Sequence, residues 1–236
     1  MLAKLALIAF VAVAFSGAGL AEAEESVKKS GSDSKSKSVY KLPKVGKPTG
    51  RVGGGRRGTG TDVPQAYVLV PDHVGFTASE QPVLYWYISD GGTGEVKFEL
   101  TLIDESSVDP MIDKRFATPA KAGLQRLNLA DHGVKLRPGE EYQWSIALVT
   151  DASDRSKDVV SSGWIERVPE PEGLTDKLSA AGPEGAASVY GDAGLWYETV
   201  AAACDELSRK PEDAASRDEL ATLLLAAGLP SEAAQP

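Results

Sequence analysis

The sequence predicts an α+β protein: an antiparallel β-sandwich of about seven strands followed by a small helical region. Three observations lead there. Between Ala66 and Val168, short apolar segments alternate with turn residues. After Pro169-Glu170-Pro171 the apolar period lengthens to that of helices. The one cysteine, Cys204, permits no intramolecular disulfide, so an apolar core has to hold the fold, and 236 residues are enough to bury one.

The chain opens on MLAKLALIAFVAVAFSGAGLAEA. Lys4 gives a positive start, Leu5 to Phe15 an apolar run, and Ser16 to Ala23 a set of small residues. Gly19 and Ala21, or Ala21 and Ala23, fit the −3 and −1 positions of a cleavage site. A membrane-spanning helix needs about 20 apolar residues, more than this run supplies. No cysteine follows to carry a lipid. Residues 1–23 are therefore expected to be a cleaved secretory signal, leaving a secreted or periplasmic protein with no transmembrane anchor.

Residues 24–62 are rich in Ser, Lys and Gly and are expected to form a disordered linker, because they hold too little apolar surface to order themselves. From Glu22 to Gly58 there are ten Lys and Arg against four acids; residues 59–236 hold fourteen against thirty. A basic linker thus precedes an acidic body; a solvated linker that keeps the protein soluble is expected, the alternative being weak, salt-screened contact with anionic surfaces. Within the linker, RVGGGRRGTG (Arg51 to Gly60) contains G-x-G-x-x-G at Gly53, Gly55 and Gly58. A dinucleotide site needs a strand before those glycines and a helix opening on them, so that the helix N-terminus holds the pyrophosphate. Neither flanks them here, and Thr59 stands where a phosphate loop requires lysine. The stretch reads as a basic hinge, and no nucleotide is expected.

Residues 63–169 carry the strand pattern. Ala66 to Val70 is a first strand, ended by Pro71-Asp72. Val83 to Ile88, VLYWYI, is apolar on both faces, as a strand covered on both sides would be. Val96, Phe98, Leu100 and Leu102 alternate with polar residues after a turn at Asp90 to Gly94. Met111 to Ala117 and Leu124 to Leu129 are further candidates. Tyr142, Trp144, Ile146 and Leu148 alternate most clearly, and Val159 to Val168 closes the set. This spacing suits an immunoglobulin- or fibronectin-like sandwich. Leu136 to Trp144 resembles the L-x-P-G-x-x-Y segment of fibronectin type III domains, which implies a tyrosine corner at Tyr142, and Trp86 sits where such a sandwich buries a tryptophan.

Residues 172–230 have helical period. Leu174 and Leu178 mark a short first helix, Pro183 to Tyr190 a second, Leu195 to Arg209 a third and Pro211 to Ala227 a fourth, stopped by Gly228 and Pro230. Gly194 to Asp213 loosely resembles one tetratricopeptide unit. Such arrays need about three repeats, so these helices are expected to pack on each other or on the sandwich. Cys204 falls on the apolar face as a small buried hydrophobe.

Seven segments in one order carry a wider resemblance: RVGGGRRG, Leu69 to Pro71, Ser79 to Pro82, Pro138 to Trp144, Asp154 to Ser156, Gly163 to Val168, and Ala193 to Val200. From Arg51 to about Ala227 the chain resembles a bacterial family, domain of unknown function 928, found in cyanobacterial envelopes among others. The resemblance implies an exported protein with a sandwich and a helical tail, and no known reaction. Members tend to carry cysteines ahead of the Asp-Arg-Ser loop and near the glycines; neither is present here, so any bridge between those places is lost.

No catalytic, cofactor-binding or metal-ligating residue is expected. His73 and His132 each follow an aspartate, Asp72 and Asp131, and could converge on zinc, but Asx-turn chemistry accounts for both pairs. No G-x-S-x-G nucleophile elbow occurs. The loop Asp151 to Asp158 places three aspartates within eight residues, oxygen ligands that suit Ca²⁺, but its spacing is not that of an EF-hand; a solvated turn in which Asp154 pairs with Arg155 or caps the backbone is expected instead. Tyr85, Trp86 and Tyr87 point alternately to opposite faces and cannot form one sugar-stacking platform. The expected function is that of a non-catalytic, exported interaction or structural module of the cell envelope, with another envelope protein as partner. The alternative is a glycan-binding accessory domain.

Overall fold

The computed structural model describes residues 40–42, 64–89, 97–104, 110–116, 122–149, 151 and 153–234. The signal segment, the glycine-arginine stretch Arg51 to Gly60 and the turn Asp90 to Gly94 lie outside the described residues. Lys37–Pro236 forms one compact unit with mixed α+β content.

Each stretch expected to be a strand forms one: β1 (Ala66–Val68), β3 (Val83–Ile88), β4 (Lys97–Asp104), β5 (Pro110–Phe116), β6 (Gly123–Asn128), β7 (Glu141–Val149) and β8 (Val159–Arg167). An eighth, β2 (Gly75–Thr77), was not legible in the sequence. It has three residues and no alternation to speak of, and owes its conformation to parallel pairing with β8. The strands make two sheets, one in the order β1-β3-β6 and one in the order β2-β8-β7-β4-β5. All pairs except β2 with β8 are antiparallel.

The alternation along β7 translates directly into burial. Tyr142, Trp144 and Leu148 are fully buried and Ile146 nearly so. β3, the run apolar on both faces, is buried from Leu84 to Ile88 because it lies between β1 and β6 in its sheet and is also packed by a helix. Side chains of both sheets and of the helices join one continuous apolar core.

The helical region forms α1 (Leu174–Asp192), α2 (Trp196–Arg209) and α3 (Ala214–Ala226). The two short helices expected before Tyr190 are the two arms of α1, separated at Gly182, whose φ of 67° and ψ of −176° break the helical path. Pro183 then opens the second arm, where its missing N–H costs nothing. α3 starts at Ala214 rather than Pro211, because the Asp213 carboxylate caps it by accepting from the Ser216 N–H at 3.1 Å. Among the described residues no helix is long and apolar enough to cross a membrane.

One glycine is fixed by packing. Between β1 and β2 the chain crosses from the first sheet to the second, and Val70 lies over β8 at Gly163, where an added Cβ would overlap the Val70 side chain. Gly163→Ala is expected to destabilise the protein by about 1–3 kcal/mol, the usual cost of overpacking. Urea denaturation measures it, and adding Val70→Ala should return part of the loss if the overlap is the cause.

Candidate functional site

The first turn of α2 is where most of the segments singled out in the sequence meet. Gly194, at a φ of 75°, turns the chain out of α1, and Leu195 enters α2 in an extended conformation. The Trp196 Nε1–H then donates to the Leu69 carbonyl at 2.8 Å. The Trp144 Nε1–H donates to the Tyr197 hydroxyl at 2.9 Å, and that hydroxyl donates to the Trp164 carbonyl at 3.0 Å. Burial pushes the Tyr197 hydroxyl far above the ordinary tyrosine pKa, so it stays protonated and able to donate. Glu198 follows: its Oε1 accepts from the Thr77 hydroxyl at 2.7 Å and from the N–H groups of Ala78 and Ser79 at 2.9 and 3.0 Å. The segments at Leu69 to Pro71, Ser79 to Pro82, Pro138 to Trp144, Gly163 to Val168 and Ala193 to Val200 therefore share one seam between helix and sheets.

A second cluster continues it. The Arg167 guanidinium donates to the Leu136 carbonyl at 2.8 Å, the Leu136 N–H donates to the Glu80 carbonyl at 2.8 Å, and the Gly139 N–H donates to the Arg167 carbonyl at 2.7 Å. The Tyr142 hydroxyl accepts from the Arg137 N–H at 2.9 Å. These segments hold the fold together, which is a sufficient reason for their chemistry. Removing the Tyr197 hydroxyl leaves the buried Trp144 N–H without its acceptor. Tyr197→Phe is accordingly expected to cost about 1–3 kcal/mol in equilibrium unfolding, and a smaller loss when Trp144→Phe is already present would assign the cost to that bond.

Part of the expected linker is ordered. Tyr40 packs edge-on against Trp196, with ring centroids 4.9 Å apart, and stacks on His73 at 5.9 Å. Its hydroxyl bonds His73 Nε2 at 2.9 Å, and His73 Nδ1 meets the Asp72 carboxylate at 3.1 Å. The Lys41 N–H donates to the Gly191 carbonyl at 2.9 Å. An aromatic ring in a polar stretch thus finds apolar cover that the local composition did not announce. A core beginning near Gly58 would lose this anchor. Tyr40→Ala should lower the unfolding free energy by about 1–3 kcal/mol, and thermal melting of chains starting at Glu24 and at Gly58 should differ in the same direction.

His73 is thus absorbed in a structural contact with Tyr40. His132 lies in the 3₁₀ turn Leu129–His132. Among the described residues no three of His, Cys, Asp and Glu gather as a metal site. In the loop Asp151 to Asp158, Asp154 caps the backbone by accepting from the Ser156 N–H at 3.2 Å, and Arg155 pairs with Asp158 at 2.6 Å rather than with Asp154. The Lys157 ammonium stands 2.9 Å from Asp151 and 3.4 Å from Asp154. Hydrogen bonds from Ser153 and Lys157 hold the Asp151 carboxyl well below its usual range.

A cleft of about 560 Å³ lies between β6 and α2. Tyr85 and Cys204 form a buried floor, and Arg126, Asp205, Ser208 and Arg209 stand at the exposed rim. Arg126 faces the Tyr85 hydroxyl, whose pKa burial pushes up to about 12, and it pairs across the cleft with Asp205 at 3.7 Å. Burial pushes the Cys204 thiol up strongly, which suppresses the thiolate. Sequence reasoning missed this cleft, since its residues come from β3, β6 and α2, which lie far apart along the chain.

Two sheets closed by a helix that plugs into their shared core define an α+β protein with an open polar cleft on one sheet's last strand. Residues 52–236 match the family model described as Domain of Unknown Function (DUF928), and the chain belongs to that family. No curated protein and no solved structure matches it.

Proposed function

We propose that the protein is an exported, non-catalytic interaction module of the cell envelope, secreted or periplasmic, and that it meets its partner through the cleft between β6 and α2. The cleft carries this reading. Its volume lies within the range of binding clefts, and it sets a polar rim around an apolar floor. The rim supplies hydrogen-bond donors and acceptors, while the thiol beneath them is held protonated.

The finer architecture we assign is an immunoglobulin- or fibronectin-like sandwich. The strand order supports it: β1, β3 and β6 against β8, β7, β4 and β5, with β2 leaving the first sheet's side to pair with β8. The bond from the Arg137 N–H to the Tyr142 hydroxyl at the start of β7 supports it too, having the form of a tyrosine corner. α2 and α3 correspond to a single tetratricopeptide-like helix pair, stabilised by docking rather than by further repeats. A glycan-binding role has less support, because no described aromatic side chain is exposed to stack on a sugar.

The test keeps the chain whole, since cutting after Val168 would strip Trp144 and Leu69 of their partners on α2. A photo-crosslinking residue at Ser208, on the cleft rim, is compared with one at Leu225, an exposed position on α3. Envelope extracts should give a discrete protein adduct from Ser208 and none from Leu225. Equal, diffuse labelling from both positions would remove the cleft from this role.

A further inference from the structure

We propose that β6 is a docking edge, and that an extended segment of a partner protein adds to the β1-β3-β6 sheet as a fourth strand. The inference rests on the interaction-module reading and specifies its contact. β6 is the last strand of its sheet. The Leu69 N–H donates to the Tyr85 carbonyl and the Ser89 N–H to the Gln65 carbonyl, so the odd-numbered residues of β3 bond toward β1. The Leu129 N–H donates to the Pro82 carbonyl, which puts the even-numbered positions on the β6 side. Opposed residues in an antiparallel pair exchange bonds only at alternate positions. With Trp86 opposite Gln125 and Leu84 opposite Leu127, it is Gly123, Gln125 and Leu127 that bond to β3. The N–H and C=O groups of Leu124 and Arg126 and the N–H of Asn128 then point away from the sheet and make no backbone bond to a described residue; the Asn128 carbonyl opens the 3₁₀ turn Leu129–His132.

Exposed edges are normally guarded by proline, charge or a bulge. β5, at the end of the other sheet, is guarded in all three ways. It begins at Pro110, exposes Asp113 and Arg115, and its pairing with β4 shifts register between Leu102 and Ile103. β6 reads GLQRLN, with no proline, an unbroken register and one charge. Its sides are also hollowed. The cleft of about 560 Å³ and a second hollow of about 260 Å³, lined by Asn128, Asp131 and His132, both lie along β6, and Arg126 lines each of them. An added strand needs such recesses at alternate positions, because its side chains alternate in direction.

The occupant is a different protein rather than a second copy. Residues 59–236 hold thirty acids against fourteen bases, and two such bodies repel. Arg126 is the sole charge on β6, and its exposed pair with Asp205 at 3.7 Å is weak, leaving guanidinium donors for a partner's acidic side chain. An apolar side chain on the same segment would meet Leu124.

The experiment selects a displayed library of linear peptides of about ten residues against the full chain. Selected peptides should alternate apolar and polar residues and carry an acid. On binding, exchange of the Leu124, Arg126 and Asn128 amides should slow by about tenfold or more. Arg126→Pro removes an outward N–H without touching the bonds to β3, as proline is tolerated where an edge N–H faces solvent. It should weaken binding by about tenfold, and Arg126→Gln by about threefold. Leu124→Pro repeats the test at a second outward amide, and the exchange measurement on the unaltered chain decides should either variant misfold. Failure to select any peptide overturns the proposal, as does selection of peptides that leave those three amides unprotected. A dimer in sedimentation that Arg126→Pro disperses would assign the edge to a second copy and overturn it as well. A discrete Ser208 adduct without protection of β6 would remove the edge while leaving the interaction module standing.

Discussion

The Tyr197 hydroxyl is the constraint on which the arrangement depends. It accepts from Trp144 on β7 and donates to the Trp164 carbonyl on β8, so one buried atom ties α2 to two neighbouring strands. A buried N–H or hydroxyl left unpaired costs about as much as several ordinary contacts return. The surrounding packing follows from that requirement. Gly75 leaves room for the Tyr197 ring, where a Cβ would approach Cε2 to 2.9 Å, and Trp196 fills the adjoining space while bonding Leu69. The helices are thus part of the core and not an appendage to it.

What the sequence disclosed, and what it hid, divides along physical lines. The alternation in β7, the two-faced apolar run in β3 and the burial of Cys204 were legible because each is a local pattern with a period. β2 and the ordering of Tyr40 were not, since both depend on partners far along the chain: β8 for the first, His73 and Trp196 for the second. The resemblance segments were visible one by one, yet their convergence on α2 was not, because spacing along the chain says nothing of Trp144 meeting Tyr197. The cleft escaped for the same reason. Leu124 and Ser208 carry no shared pattern until β6 and α2 are brought together.

Part of the body's charge is handled locally. Lys157 answers Asp151 and Asp154, Arg155 answers Asp158, and Glu206 is held below the usual carboxylate range by Arg209 and Lys210. Acids that in sequence look like a ligand set are already engaged by cations a few residues away. Other pairs join distant segments: Arg126 meets Asp205 at the cleft rim, Lys135 meets Glu80, and Lys210 meets Glu184.

The seam on α2 also bears on the order of assembly. Trp196 and Leu69 are 127 positions apart, and Glu198 reaches Thr77, Ala78 and Ser79 across 121, 120 and 119. Closing contacts of that span lowers the chain's entropy before packing returns any stability, which slows folding relative to local pairing. During vectorial synthesis the strands emerge well before α2, so Trp144 waits without its acceptor until the last quarter or so of the chain is free. The interior around Trp144 is closed only when α2 is docked, so whatever holds α2 off the sheets leaves that interior open.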